Sequence, residues 1–195
     1  MHALLRVAGL IDALTERIGR AARWLILLTA LISAGNALAR YAFNASSNAW
    51  LEIQWYLFAA VFLLCAGYAL KHNQHVRVDV LSSRLSARAR AWIEIFGTLF
   101  FLLPMALLIC ALSWPVFVEA WRSGEVSSNA NGLVLWPARL LLPVGFALLV
   151  LQGVSELIKR VAFLRGALPD PGGTAEGGGV ERELTQVILK SRERG

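Results

Sequence analysis

The side chains that most often carry chemistry are few in this chain and stand far apart. Two cysteines, Cys65 and Cys110, lack the close spacing of a redox-active dithiol. The histidines, His2, His72 and His75, lie at the N terminus and in one central loop, outside the apolar segments where haem ligands would be needed. Metal binding by His72 and His75 stays an alternative, although no further ligand supports it. We therefore predict that the protein is not an enzyme and holds no cofactor.

The acidic residues next to the long apolar segments stand at their ends. Glu52, Glu94, Glu119 and Glu156 each lie at one end of a charge-free segment. A chain that moved protons or sodium ions by itself would need a carboxylate deep in the hydrocarbon layer, where a buried charge is costly and usually functional. This placement argues against autonomous transport. We expect the few polar residues within the segments to make contacts between helices.

Composition indicates which elements must carry these residues, namely membrane-spanning helices. Apolar residues make up 57% of the 195 residues and charged residues only 16%, with a mean hydropathy of +0.58. Soluble domains contain about 45–50% apolar and about 25% charged residues. Four charge-free intervals follow one another along the chain, at 24–39, 53–70, 95–118 and 140–155. Extended into interfacial residues, they predict four spans of about 20 residues or more, at 24–43, 50–70, 92–121 and 137–160.

Residues 1–23 are predicted to form an amphipathic helix at the membrane surface. At about 100° per residue, charged side chains lie opposite an apolar face that contains Leu4, Val7, Leu10, Ile11, Leu14, Ile18 and Ala22. A cleaved secretory signal is the alternative, because Ala37-Leu38-Ala39 has the form of a cleavage site. Residues 164–195 contain the glycine and proline clusters of a flexible linker, followed by a tail. The predicted fold class is an all-α membrane protein, with four transmembrane helices in 24–163 preceded by the interfacial helix.

The distribution of basic residues predicts the orientation of the spans. Of 19 Lys and Arg residues, 16 precede span one, lie between spans two and three, or follow span four. The other three are Arg40, Arg122 and Arg139. The positive-inside rule therefore predicts that both termini and the central loop are cytoplasmic. The net charge of +6 then reflects topology and attraction to lipid headgroups, so we predict contacts with membrane lipids and no nucleic-acid partner.

An ordered set of short motifs resembles one family of transporter subunits. Glu52 stands near the start of span two, Gly67 and Ala69 end that span, and the loop segment His75-Val76-Arg77-Val78-Asp79 follows. Three further motifs come later in the chain, namely Gly124-Glu125-Val126-Ser127, Trp136-Pro137 and Pro143-Val144-Gly145-Phe146. With these motifs, residues 24–163 resemble the small membrane subunit, the Q or DctQ-type subunit, of tripartite ATP-independent periplasmic (TRAP) transporters.

The resemblance implies a subunit of the bacterial inner membrane that carries no substrate itself. A large elevator-type permease subunit would bind substrate and sodium, a periplasmic binding protein would deliver an organic acid, and this chain would be the scaffold. We expect charged residues of the outer face to contact the binding protein, namely Glu52, Glu119, Arg122, Glu125 and Arg139. Ordinary interfacial charges are the alternative. In the cytoplasmic loop motif, which includes His75, we expect Arg77 and Asp79 to fix the loop or to contact lipid.

A membrane anchor or assembly subunit of another inner-membrane complex is the alternative function. Such a subunit would bind a soluble partner and would have no role in uptake. Haem in the purified protein would favour the anchor, and loss of sodium-dependent uptake on deletion would exclude it. A self-sufficient small exporter is a third possibility, which the lack of carboxylates within the apolar segments disfavours.

Overall fold

The fold is a bundle of long helices in the computed structural model, which describes residues 2–44, 47–72 and 85–168. The helices are α1 (His2–Phe43), α2 (Asn48–Lys71), α3 (Ala87–Gly97), α4 (Leu103–Ser123) and α5 (Trp136–Leu164). A π-helical turn, Thr98–Leu102, joins α3 to α4 in one continuous helical segment. This segment, α1, α2 and α5 are each long and apolar enough to cross a membrane. The predicted all-α membrane fold with four spanning helices is therefore confirmed.

The helices extend beyond the predicted spans. Helices α2 and α5 exceed the predicted ranges by one to four residues at each end. The third spanning segment begins at Ala87, five residues before the predicted start at 92. Ser86 explains this early start, because its hydroxyl accepts a hydrogen bond of 3.3 Å from the backbone N–H of Ala89. A serine at this position satisfies one of the N–H groups that have no partner in the first helical turn.

Helix α1 is unbroken from His2 to Phe43, so the predicted amphipathic segment continues directly into the first span. Its inward positions carry small or polar residues, and Ala8, Thr15 and Ala22 are buried. Four residues of the predicted apolar face point away from the bundle, with exposures between 43% and 73% for Leu4, Val7, Leu10 and Leu14, whereas Ala22 of the same face is buried. This exposed stripe can contact lipid. The location of residues 1–23 at the membrane surface stays a prediction.

Helix α5 is the central element of the bundle. It contacts α1, α2, α3, the π-helical turn and α4, and α1 also packs on α2. Glycines allow close approach: a Cβ at Gly145 would lie 2.7 Å from the Cβ of Leu63 and 3.0 Å from its carbonyl oxygen. A Cβ at Gly19 of α1 would overlap the ring of Tyr68, a still closer approach. Small residues at helix contacts are expected in a membrane, where close packing replaces the hydrophobic effect as the force between helices.

The π-helical turn ends at Leu102, two residues before Pro104. Proline has no backbone N–H and its ring clashes with the carbonyl four residues earlier, so the regular hydrogen-bond ladder cannot continue through this position. Gly153 of α5 faces the turn, and a Cβ there would lie 3.0 Å from a methyl group of Leu102. The turn therefore widens the helix where it passes the central helix of the bundle.

Substitution of Gly145 by leucine should destabilise the bundle, because the new side chain would meet the backbone of α2 at Leu63. We expect a loss of about 1–3 kcal/mol in the free energy of unfolding, the usual effect of overpacking. Thermal unfolding of the purified protein in detergent measures the change. Gly35→Leu is the matched control, because nothing lies within 4 Å of a Cβ at that position. Equal melting temperatures for the two variants would contradict the tight contact between α2 and α5.

Candidate functional site

Charged and polar side chains of the described residues collect at the two ends of the bundle. We call one the hairpin end; it carries the start of α2 and the connection between α4 and α5, residues 124–135. We call the other the terminal end; it carries the start of α1 and the ends of α2 and α5. The predicted partner-binding residues all lie at the hairpin end, namely Glu52, Glu119, Arg122, Glu125 and Arg139.

Glu52 is buried at the hairpin end, with 3% of its surface exposed. One carboxylate oxygen accepts hydrogen bonds from the hydroxyl of Ser127 and from the side-chain amide of Asn129, the latter at 2.7 Å. The other oxygen accepts a hydrogen bond of 2.7 Å from the backbone N–H of Leu133. Three donors compensate for the removal of this carboxylate from water. Glu52 therefore fixes the 124–135 connection onto α2.

The 124–135 connection forms a short hairpin around this carboxylate. Val126 and Val134 form an antiparallel bridge, and backbone hydrogen bonds of 2.8 and 2.9 Å lie on either side of it. Gly124 and Asn131 adopt left-handed φ angles of 62° and 59°, a conformation that glycine and asparagine tolerate best. The hairpin is thus ordered by its own backbone as well as by Glu52.

Further contacts join the hairpin to the helices on both sides. The side-chain amide of Asn48 donates to the carbonyl of Ala130 at 3.3 Å. The hydroxyl of Tyr56 donates to a hairpin carbonyl at 3.2 Å. On the α5 side, the guanidinium of Arg139 forms two contacts with the Glu125 carboxylate, at 2.6 and 2.8 Å. This two-point geometry orients both side chains at the surface.

The predicted residues thus differ in what they can offer to a partner. Glu125 and Arg139 form a half-exposed ion pair, with side-chain exposures of 42% and 31%. Glu119 and Arg122 are exposed on the last turns of α4. Glu52 lies beneath the hairpin, so it can support a binding surface but contributes little to its outer face. The loop residues His75, Arg77 and Asp79 lie outside the described residues, so their predicted role stays a prediction.

A polar network at the terminal end joins α1 to α5 and was missed by sequence reasoning. One oxygen of Asp12 accepts hydrogen bonds from the Gln152 amide at 2.9 Å and the Ser155 hydroxyl at 2.8 Å. The ammonium group of Lys159 lies 3.1 Å from the other oxygen. The hydroxyl of Thr15 donates to the Gln152 side-chain oxygen at 2.8 Å. Each polar group is therefore paired with one on the other helix.

The same end of the bundle contains a second link, between α1 and α2. The ammonium group of Lys71 lies 2.8 Å from the Glu16 carboxylate, and a ring nitrogen of His72 lies 3.0 Å from the same oxygen. A sequence signal for the link between α1 and α5 existed. Polar residues recur at helical spacing near the start of α1 and near the end of α5, at Asp12, Thr15 and Glu16 and at Gln152, Ser155, Glu156 and Lys159.

These two ends hold and orient helices but do not assemble a reaction centre. The free thiols Cys65 and Cys110 lie on α2 and α4, and the Cys110 sulfur contacts the Pro143 carbonyl at 3.5 Å. Within residues 2–44, 47–72 and 85–168, no group of three or more His, Cys, Asp and Glu side chains could hold a metal ion. The polar contacts at the two ends therefore serve to hold the helices and the hairpin together.

Replacement of Glu52 by glutamine should loosen the hairpin. The amide keeps the size of the side chain but has only one acceptor oxygen for three donors, so at least one donor loses its partner. We expect a loss of about 1–3 kcal/mol, the usual effect of one unsatisfied buried group. Hydrogen exchange of the Leu133 amide should rise accordingly. Glu119→Gln makes the same change at an exposed position and serves as the control. Equal exchange rates of the Leu133 amide in the two variants would contradict the role of Glu52 in holding the hairpin.

Comparison with known families identifies the chain. Residues 29–163 match the family described as "Tripartite ATP-independent periplasmic transporters, DctQ component". The match includes all or part of each spanning helix and the whole hairpin. None of the curated proteins matches. DctQ proteins are transporter components, which confirms that the chain is not an enzyme, and with four spanning helices it is a multi-pass inner-membrane protein. The chain therefore belongs to the DctQ family, the small permease subunits of TRAP transporters.

Proposed function

We propose that this subunit scaffolds a large elevator-type permease subunit in a sodium-coupled transporter of organic acids. We further propose that its hairpin end helps to dock the periplasmic binding protein. The observation that carries this proposal is the 124–135 hairpin, which Glu52 holds against α2 and which Arg139 links to α5. An ordered loop with charged residues at its surface is suited to recognition, because little conformational freedom is lost on binding.

The lateral surface of the bundle supports the scaffold role. In the most apolar window of each spanning segment, only 6–33% of the residues are buried within the chain. The remaining apolar faces are available to lipid and to a large membrane partner. Near the hairpin end, Trp114, Phe117, Trp121 and Trp136 form a row with ring centroids 4.6–6.3 Å apart. Such a row offers a rigid aromatic surface either to the membrane interface or to the large subunit.

Sodium binding and substrate movement are assigned to the large subunit. The charge-free stretches 53–70, 95–118 and 140–155 contain no carboxylate that could bind a sodium ion deep in the membrane. The terminal-end carboxylates Asp12 and Glu16 already face Lys159 and Lys71. These features agree with a subunit that remains fixed while its partner moves. The charged residues at the hairpin end would then contribute specificity and rate of encounter with the binding protein.

The proposed orientation places the hairpin end in the periplasm and both termini in the cytoplasm. Single cysteines at Ser128 and Ser86, introduced after Cys65 and Cys110 are replaced by alanine, report on opposite ends of the bundle. Both serines are exposed. A membrane-impermeant maleimide should label Ser128→Cys in cells whose inner membrane is intact and Ser86→Cys only after that membrane is permeabilised. The opposite labelling pattern would reverse the topology.

Exchange of the charges in the Glu125–Arg139 pair tests docking. The double variant Glu125→Arg/Arg139→Glu can re-form the ion pair, so the hairpin should stay folded while its surface potential changes. We expect affinity for the binding protein to fall about tenfold, and sodium-driven organic-acid uptake to fall with it. Binding to the reconstituted complex and uptake into cells with and without a sodium gradient are the measurements.

The matched control is Glu16→Lys/Lys71→Glu, which exchanges an ion pair at the opposite end of the bundle. This control should leave the affinity for the binding protein unchanged. Equal affinity in the hairpin variant would reject docking at this surface. Uptake that does not depend on a sodium gradient, in either the unmodified complex or the variants, would reject sodium coupling.

A further inference from the structure

A groove opens on the side of the bundle between α5 and the helical segment formed by α3, the π-helical turn and α4. Its volume is about 490 Å³. The walls are apolar: Phe101, Leu102 and Met105 lie on one side, and Phe146, Leu149 and Leu157 lie on the other. Gly97 also lines the groove, and a Cβ added there would meet nothing within 4 Å. The proline-associated π-helical turn and this glycine therefore leave a space along α5.

The dimensions of the groove favour a flexible hydrocarbon chain. From Glu94 to Met105 the groove follows the helix for about 16 Å at 1.5 Å per residue, close to one leaflet, or half of a hydrocarbon core about 30 Å thick. This length is that of an acyl chain in one leaflet, and the apolar walls match its chemistry.

One end of the groove is polar and carries both signs of charge. Glu94, Glu156 and Arg160 line this end, and the Arg160 Nε atom lies 2.6 Å from a Glu94 carboxylate oxygen. Arg160 and Glu156 are buried, with side-chain exposures of 6% and 11%. This end lies level with the polar network of Asp12 and Lys159. That level marks the boundary between hydrocarbon and headgroups, because charged side chains concentrate there.

We propose that the groove binds one acyl chain of a zwitterionic phospholipid from the leaflet at the terminal end. The phosphate lies on the Arg160 side, and a primary ammonium group faces the carboxylates of Glu94 and Glu156. Mixed charge at the polar end complements a headgroup of mixed charge better than it complements a purely anionic one. The inference rests on the groove and on the membrane location of the chain, and it does not depend on the proposed docking role.

Photo-crosslinking tests the site in the full-length protein. The protein is reconstituted into nanodiscs that contain phosphatidylethanolamine with a diazirine near the end of one acyl chain, and crosslinked peptides are mapped by mass spectrometry. We expect crosslinks concentrated on residues 97–106 and 146–157. Gly97→Leu fills the groove and should lower this crosslinking about tenfold, as expected when roughly two methylenes lose their apolar contacts. The same label on phosphatidylglycerol should crosslink more weakly at these residues.

Two control variants separate groove filling from general effects. Gly9→Leu adds the same side chain at another open position, on the exposed surface of α1, and should leave crosslinking unchanged. Met105→Trp narrows the groove independently of Gly97, and Leu108→Trp makes a comparable change on α4 outside the groove lining. Only Met105→Trp should lower crosslinking.

Three results would overturn the inference. The first is even labelling of all exposed apolar faces with no effect of Gly97→Leu or Met105→Trp. The second is equal or stronger crosslinking by phosphatidylglycerol, which would remove the headgroup assignment. The third appears in the intact transporter complex: crosslinks from the groove to a partner polypeptide, obtained with a photoreactive residue in place of Met105, would show that protein and not lipid fills the space.

Discussion

The hydrocarbon layer penalises every polar group that lacks a partner, and this penalty explains where polar chemistry occurs in the chain. The buried carboxylate of Glu52 receives three hydrogen-bond donors. Asp12 receives two donors and a lysine ammonium group. Between these ends, the helices approach one another through small residues, such as Gly145 against Leu63. The helices are therefore held together by polar contacts at the ends of the bundle and by close steric packing in its middle.

Spans could be predicted from the sequence because helix length and charge-free intervals are local properties. Contacts between distant residues could not, because they depend on helix rotation and on which helices become neighbours. Glu52 was recognised as a residue at a span end, yet its burial depends on Ser127, 75 positions away. The amphipathic pattern of residues 1–23 predicts an apolar face, but it does not indicate which helix packs against the opposite, polar face. Most of that apolar face is exposed, and the side with Asp12 and Thr15 packs on α5.

The family match covers the hairpin end of the bundle completely and the terminal end only in part. The hairpin end lies within residues 29–163, whereas the α1 half of the terminal network lies before them. Asp12 and Thr15 are therefore outside the matched range, although Gln152 and Lys159 are inside it. The anchoring of the first half of α1 is thus a feature of this chain that the family match does not describe. It lengthens the first helix on the side of the bundle where the groove has its polar end.

The proposed scaffold role needs the helices to behave as one body, and the contacts of α5 join them in this way. At the hairpin end, Arg139 holds the loop that follows α4, and the same loop is clamped to α2 by Glu52. At the terminal end, Lys159 holds α1 and Arg160 holds α3. Each of the other helices is thus tied to α5 directly or through the hairpin. A movement of one helix alone would break some of these polar contacts, whereas a movement of the whole bundle against a partner would break none of them.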